Sequence, residues 1–312
     1  MSIRHIGRFL LYLNSIKQTK HSTQGGNCMK IISSNTLSAI QKDEIIALQT
    51  ACNNFENLNN EAFLSNEINY NKELPCFFLA YEDNRLIAFL TTFMPQSNEA
   101  EILGFTHPSY RNQSYFTALL SSAKQMMKTT EISNILFCVE PHCKSASEFL
   151  KSFQPIPLER SEYRLVHSGI TNPPESPDLL TQLVNQHNKD ICLELTDAIF
   201  LMGKGENDNF IENAVQSPSR DAYLAFWKNE PIGTFNLNYE DNTAFLYGFG
   251  IHPSFQHKGY GKQLLELALN LAFEKSNQVI LDVDSSNQSA YNLYIHNGFS
   301  VDFQVDYYLC HL

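Results

Sequence analysis

Hydrophobic and polar positions repeat with two different periods in residues 178–312, and these periods predict a mixed α/β fold. Apolar residues at helical spacing predict helices over 179–195, 261–275 and 289–297. The third helix is predicted to end at Gly298, because a residue without a Cβ can adopt the left-handed C-cap conformation. Alternating or short apolar runs predict strands over 222–227, 232–239, 242–251, 279–283 and 304–310. The order helix, three strands, helix, strand, helix, strand is typical of a mixed α/β sheet.

The same order of elements is predicted twice, because the chain contains an internal repeat. Residues 105–111 resemble residues 250–256 at an offset of 145, and residues 78–81 resemble 223–226 at the same offset. At an offset of 144, Ser145–Ala146 matches Ser289–Ala290, and Tyr163, Leu165 and His167 match Tyr307, Leu309 and His311. Self-similarity at a domain-sized period indicates a duplicated domain rather than a solenoid.

Composition places the boundaries of the two copies. Residues 168–177 are rich in Pro and Ser, which predicts a linker between one domain at 30–167 and another at 178–312. Residues 1–29 are basic and contain no acid, so we expect a mobile extension that plays no part in the fold. An organelle transit segment is an alternative. Met1 and Met29 are both candidates for the native start of the chain.

Charge and cysteine content restrict the class of protein. The chain has 312 residues, 43% of them hydrophobic, and a formal net charge of −11, which argues against a nucleic-acid partner held by phosphate neutralisation. The sequence contains no run of about 18 apolar residues, so no membrane-spanning helix is expected. The seven scattered cysteines include no C-x-x-C pair, which favours a reduced cytoplasmic protein without a metal site.

The loop between the predicted strand 242–251 and the predicted helix 261–275 is a candidate anion site. The first amides of a helix lack intrahelical partners, and the helix dipole adds partial positive charge there. Two glycines allow close approach of a phosphate, so the pyrophosphate of a coenzyme fits. Neither a P-loop nor a Rossmann turn matches, and a plain glycine-rich turn is the alternative. The residues of the loop are Gln256, His257, Lys258, Gly259, Tyr260, Gly261 and Lys262.

Two motifs resemble a known family. The pattern Q/R-x-x-G-x-G/A, which follows a strand ending in I-H-P, resembles motif A of the GNAT superfamily of acyl-CoA N-acyltransferases. Residues 287–299 contain Asn287 followed by A-x-x-L-Y-x-x-x-G-F and resemble the second signature of that family. The resemblance covers the second copy fully and the first in outline. It implies two tandem GNAT-like domains of mixed α/β (α+β) fold.

The resemblance also implies roles for the matched positions. The cosubstrate would be acetyl-CoA, with its pyrophosphate on the amides of loop 256–261. The backbone of Phe249, Gly250 and Ile251 would pair with the pantetheine arm, and Asn287 would lie near that arm or the leaving sulfur. Tyr294 would protonate the departing thiolate, although a packed helix tyrosine is the alternative. No metal is implied.

Two departures from the family pattern matter. Residues 244–251 contain no acid that could accept the amine proton. We expect the nearby Asp282, Asp284 and His252 to be structural, so no general base is assigned. In the first copy, Ser114 and Phe116 replace the loop glycines and Leu150 replaces the tyrosine. That copy is therefore predicted to keep the fold without binding coenzyme, either as a wall of the substrate cleft or as a scaffold.

These observations favour an N-acetyltransferase that acts on a primary amine of a small molecule or peptide by direct attack, with the C-terminal domain active. A non-catalytic acyl-CoA sensor or interaction module is the alternative, and transfer to a hydroxyl is a weaker one. The acidic net charge suits a cationic amine. Both a homodimer and a pseudo-dimer of the fused domains are compatible with the sequence.

Overall fold

The computed structural model describes residues 17–20, 29–67, 69–153, 156–169, 178–201, 211 and 215–312. These residues form two compact units. The N-terminal unit contains the described residues up to Ser161 together with Phe303–Leu312, and the C-terminal unit contains Glu162–Asp302. Among the described helices, none is long and apolar enough to cross a bilayer.

The N-terminal unit is an open sheet with helices packed on it. Its strands follow the order β1-β2-β3-β4-β5-β6-β13, antiparallel except for the parallel pair β5–β6. The first strand lies within the predicted extension 1–29 and pairs with β2, so residues 17–20 do belong to the sheet. Its elements are β1 (Lys17–Lys20), β2 (Lys30–Ser34), α1 (Ala39–Glu56), β3 (Phe77–Glu82), β4 (Arg85–Phe93), β5 (Glu99–Thr106), α2 (Tyr115–Met127), β6 (Asn134–Val139) and α3 (Lys144–Lys151), with β13 (Ser300–His311) from the end of the chain.

The C-terminal unit repeats this plan. Its strands follow the order β7-β12-β11-β10-β9-β8, antiparallel except for the parallel pair β11–β12. Apolar side chains of α5 and of the sheet form its core. Its elements are β7 (Leu158–His167), β8 (Leu179–Leu183), α4 (Lys189–Phe200), β9 (Arg220–Trp227), β10 (Glu230–Glu240), β11 (Thr243–Ile251), α5 (Tyr260–Phe273), β12 (Gln278–Asp284) and α6 (Gln288–His296). The mixed α/β fold expected from the sequence is confirmed.

The two sequence copies exchange their last strands. β13 ends the second copy but pairs with β6 of the N-terminal unit, from Asp306 opposite Val139 to His311 opposite Asn134. Residues 162–167 of β7 end the first copy but pair with β12 of the C-terminal unit. The compact units therefore divide within strands, whereas the predicted linker at 168–177 separates the sequence copies. Most of that linker lies outside the described residues.

The helix predicted over 179–195 is wrong in its first half. Leu179–Leu183 forms β8 and pairs with β9, and α4 begins only at Lys189. Asn188 stabilises the turn between the strand and the helix, because its Nδ2 donates to the Leu183 carbonyl at 3.1 Å and its Oδ1 accepts from the Asn185 amide at 2.7 Å. The apolar spacing at 179–184 fits a short strand as well as one turn of helix.

Candidate active site

Strand β11 separates from its parallel neighbour along the sheet. Pairing between β11 and β12 is confined, in the described residues, to Thr243–Phe245 opposite Gln278–Ile280. A bulge then shifts the register of β11 against β10 between Thr234 and Asn236. Residues 249–251 therefore lie in a part of β11 that no longer pairs with β12, where an extended ligand can add to the strand.

Gly248 makes the bulge possible. Its φ is +56°, and a Cβ at this position would lie 2.4 Å from Asn236 Nδ2. The matched residue in the N-terminal unit is Leu103, and β4 pairs with β5 there without a shift in register. The bulge is therefore a property of the second copy alone.

We expect Gly248→Val to lower the free energy of unfolding by about 2–3 kcal/mol, because it combines backbone strain with a steric clash. Gly259→Ala is the matched control. Gly259 has a φ of +86°, but a Cβ there meets nothing within 4 Å, so the cost is backbone strain of about 1–2 kcal/mol. Urea unfolding of both variants measures the difference. Equal losses would contradict the requirement for glycine at the bulge.

The loop after β11 presents open space at the start of α5. His257 and Gly259 adopt left-handed conformations, with φ of 60° and 86°, and turn the chain into the helix. No side chain in the described residues caps α5. The nearest atom to a Cβ built on Gly261 is Leu293 Cδ2, at 3.7 Å. This combination of uncapped helix amides and uncrowded glycines suits an anionic ligand.

The side chains of the loop divide into structural and exposed groups. Gln256 Nε2 donates to the Ile251 carbonyl at 2.9 Å and ties the loop to the strand end. The Tyr260 ring packs against Trp227, with centroids 5.9 Å apart. Lys258 Nζ donates to the Ser254 carbonyl at 2.9 Å, and the exposed Lys262 lies 3.6 Å from Glu266. Cationic side chains thus lie beside the loop amides, and their contacts to a coenzyme stay a prediction.

Tyr294 is buried against the separated strand. It is 3% exposed, and its ring lies edge-on to Phe249 and Phe299, with centroid distances of 6.0 Å and 5.6 Å. Its hydroxyl forms no hydrogen bond to any described residue. Burial raises the pKa of Tyr294 well above its usual value, so the phenol keeps its proton at neutral pH. A protonated phenol without a protein acceptor can donate to a ligand.

The other polar residues that the sequence brought into question have structural contacts. Asn287 Oδ1 accepts from the Ala290 amide at 3.1 Å and caps α6, so its contact with the pantetheine arm stays a prediction. Asp284 Oδ1 accepts from the Ser286 amide at 2.7 Å, and His252 Nδ1 accepts from the Ser254 amide at 3.3 Å. These contacts agree with the structural roles expected for Asp284 and His252.

Asp282 is held by a partner that the sequence did not reveal. Arg164 on β7 forms a bidentate ion pair with Asp282, with Arg164 Nη2 2.9 Å from Asp282 Oδ2. Because both oxygens of Asp282 accept hydrogen bonds from Arg164, this carboxylate is poorly suited to act as a general base. Sequence analysis could not find this contact because Arg164 belongs to the first copy, whose last strand joins the C-terminal unit.

The matched loop of the N-terminal unit has the same left-handed backbone conformations but different side chains. Asn112 and Ser114 repeat the left-handed conformations of His257 and Gly259, with φ of 61° and 65°. Phe116 takes the position of Gly261, and its ring packs edge-on against Phe149 at 4.9 Å. A Cβ on Gly104 of β5 would lie 2.9 Å from the Phe116 ring. The N-terminal loop therefore carries an aromatic ring at a position where the other loop has no side chain.

An ion pair also holds the first residue of the N-terminal loop. Arg111, which matches Gln256, lies with Nη1 2.7 Å from Glu56 Oε2. The same carboxylate accepts from the Ser145 amide at 2.9 Å and from the Ser145 hydroxyl at 2.7 Å. Burial raises the pKa of Glu56, but the hydrogen bonds from Ser145 and Arg111 outweigh it and lower the pKa overall. The Glu56 carboxylate thus joins the loop residue Arg111 to the first turn of α3.

Comparisons with known proteins agree with this geometry. The profile of the acetyltransferase (GNAT) family matches residues 43–153 and 193–299. A search of the curated proteins found no match in sequence. Among solved structures, a GCN5-related N-acetyltransferase from Sphaerobacter thermophilus is 15% identical with a TM-score of 0.71, over 86% of this chain and 91% of that one.

Two further solved structures share the fold over nearly their whole length. A GNAT-family acetyltransferase from Colwellia psychrerythraea is 12% identical, with a TM-score of 0.64, over 94% of this chain and 99% of that one. A tandem GNAT protein from the clavulanic acid biosynthesis pathway is 13% identical, with a TM-score of 0.63, over 95% and 98%. At these identities the likeness concerns the fold alone. The two profile matches and the repeated architecture show that this chain belongs to the GNAT acetyltransferase family, with two family domains in tandem.

Proposed function

We propose that the C-terminal unit transfers an acetyl group from acetyl-CoA to a primary amine of a small molecule or peptide. The observation that carries this proposal is the difference between the two loops. The same backbone turn leads, in both units, into a helix that no described side chain caps, but it carries uncrowded glycines at 259 and 261 in the C-terminal unit and the Phe116 ring in the N-terminal unit, where Glu56 also binds Arg111. Membership of the family supports acyl transfer in general.

The residues of the C-terminal unit suit the parts of this reaction. Acetyl-CoA supplies an acyl group activated as a thioester. The amides of loop 256–261 hold the pyrophosphate, with Lys258 and Lys262 adding positive charge nearby. The backbone of Phe249, Gly250 and Ile251 orients the pantetheine arm as an added strand.

Tyr294 is the proposed proton donor. When the amine nitrogen forms its bond to the acyl carbon, the carbon–sulfur bond breaks and the thiolate takes the Tyr294 proton. The proton lost by the amine passes to water, since Asp282 is held in an ion pair with Arg164. Tyr294 then regains its proton from solvent, so no net proton is consumed by the protein.

A panel of primary amines tests the proposal. The full chain is incubated with acetyl-CoA and with alkylamines, diamines, amino alcohols, amino acids and short peptides, and products are identified by mass spectrometry. We expect at least one N-acetylated product that requires the protein. Coenzyme binding without any product would favour the non-catalytic acyl-CoA sensor instead. A cytoplasmic location and a homodimer stay predictions.

A further inference from the structure

One face of strand β10 carries buried polar side chains. Thr234, Asn236 and Asn238 alternate along the strand, and their exposed fractions are 0%, 2% and 8%. The cross-strand neighbour of Asn236 is Tyr247 on β11, and that of Asn238 is Phe245. Polar groups at this depth normally have hydrogen-bond partners in the protein, in water or in a ligand.

Two acceptor atoms on this face have no donor. Asn236 Oδ1 and Asn238 Oδ1 are both buried and form no hydrogen bond with any described residue. Asn236 Nδ2 points to the Tyr247 carbonyl at 3.4 Å, which fixes the orientation of the amide and leaves its oxygen without a partner. Leaving such an oxygen unsatisfied costs free energy, so a donor from outside the protein is expected to bind there.

The other copy of the domain shows that the fold does not require asparagine at these positions. At the positions matched to Thr234, Asn236 and Asn238, the N-terminal unit has Phe89, Thr91 and Phe93 on β4. Phe89 belongs to the apolar core, and the Phe93 ring packs edge-on against Phe63 at 5.4 Å. The same strand in the same architecture is therefore stable with aromatic residues at the positions of Thr234 and Asn238, and with the smaller polar Thr91 at the position of Asn236. The asparagines are special to the copy that has the open loop.

The position of Asn236 connects this face to the proposed reaction. Its amide lies against the backbone of Gly248, where a Cβ would be 2.4 Å from Asn236 Nδ2. The bulge at Gly248 leads directly into residues 249–251, on which the acyl arm is proposed to lie. A donor bound to Asn236 therefore lies next to the strand segment that would hold the acyl group.

We propose that Asn236 and Asn238 bind the acceptor, and that the acceptor is a primary amine with a second hydrogen-bond donor, as in a diamine or an amino alcohol. This inference rests on the proposed function. The two side chains are two residues apart on one strand, which separates their Cα atoms by about 6–7 Å. Asn236 Oδ1, next to the bulge, accepts a hydrogen bond from an N–H of the reacting amine, and Asn238 Oδ1 accepts one from the second donor group. Because both acceptors are neutral amides, they select hydrogen-bond donors whether or not these carry charge.

Three amines of equal chain length test this assignment. Butylamine has one donor group, 4-aminobutanol adds a hydroxyl and 1,4-diaminobutane adds an amine. We expect kcat/KM of the parent protein to be about tenfold higher for the last two than for butylamine, as the gain of one buried hydrogen bond predicts. In Asn238→Leu this preference should fall to about one, with acetyl-CoA affinity unchanged in titration calorimetry.

Thermal stability separates this role from a structural one. Since Asn238→Leu removes an unsatisfied acceptor, its Tm should equal or exceed that of the parent. Asn236→Leu should lower kcat/KM for all three amines, and Thr91→Val, at the matched position of the other unit, should change none of the ratios.

Three results would overturn the assignment. An unchanged preference in Asn238→Leu would do so, as would a lower Tm in both asparagine variants without any change in the ratios. Acetyl-CoA binding without acetylation of any of the three amines would show that the acceptor class is wrong. Failure of acetyl-CoA to bind the parent would instead overturn the proposed function, and the acceptor assignment with it.

Discussion

Replacing Gly261 with phenylalanine should weaken acetyl-CoA binding at least about 100-fold, or about 2.7 kcal/mol. The chain already contains this substitution at the matched position of the N-terminal unit, where the Phe116 ring fills the space beside Gly104 and Phe149. A Cβ at position 261 would lie 3.7 Å from Leu293 Cδ2, and we expect a ring there to reduce the space at the start of α5. Titration calorimetry with the full-length variant measures the loss.

Gly259→Ser provides a matched control for this variant. Ser114 shows that a serine can adopt the left-handed conformation of this loop, with a φ of 65°. A serine at 259 places a small side chain where a Cβ meets nothing within 4 Å. We therefore expect a much smaller loss of affinity than for Gly261→Phe. If Gly261→Phe stays folded and binds acetyl-CoA as tightly as the parent, the loop does not hold the pyrophosphate.

Tyr294→Phe should lower kcat about 100-fold or more while leaving acetyl-CoA affinity within about twofold, as expected when a general acid is removed. The ring contacts with Phe249 and Phe299 remain, and no hydrogen bond to a described residue is lost, so Tm should not fall. To obtain kcat, reactions with the best amine of the panel are stopped at intervals and the free thiol of the released coenzyme A is measured. Full turnover in this variant would remove Tyr294 from the mechanism.

The pH dependence of the parent follows from the same burial. A group that must be protonated to act loses activity as the pH rises through its pKa. Burial raises the pKa of Tyr294, so this loss should begin well above pH ~10, where an unperturbed tyrosine ionises. An alkaline decrease in kcat centred near pH 10 that disappears in Tyr294→Phe would contradict the buried environment.

The loop was predictable because its chemistry is local. Two glycines two residues apart, between an apolar strand and an amphipathic helix, determine the turn, and Gly259 has the positive φ that such a turn needs. The replacement of both loop glycines in the first copy was equally readable, since Ser114 and Phe116 stand at matched positions. The contact between Glu56 and Arg111 was not, because it joins residues far apart in sequence.

The exchange of strands could not be predicted from the residue pattern. β7 and β13 share the motif Tyr-x-Leu-x-His, so each is locally suited to be the last strand of either unit. Which unit receives each strand depends on long-range pairing, with β7 on β12 and β13 on β6. The ion pair between Arg164 and Asp282 follows from this exchange and was missed for the same reason.

The bulge and the polar face of β10 could be predicted only in part. Gly248 was visible in the sequence, but only the register of β10 against β11 shows that it breaks the pairing. Alternation along β10 predicts that Asn236 and Asn238 share a face. It does not predict that this face is buried, since a polar face of a strand more often meets solvent.

Counting the coenzyme molecules bound by one chain tests the central claim most directly. Acetyl-CoA is titrated into the full-length parent protein and into Gly261→Phe, and the stoichiometry is measured by calorimetry. Binding in the C-terminal unit alone predicts one coenzyme per parent chain and none per chain of the variant at the same concentrations. Two coenzymes per parent chain, or one remaining at full affinity in Gly261→Phe, would contradict it.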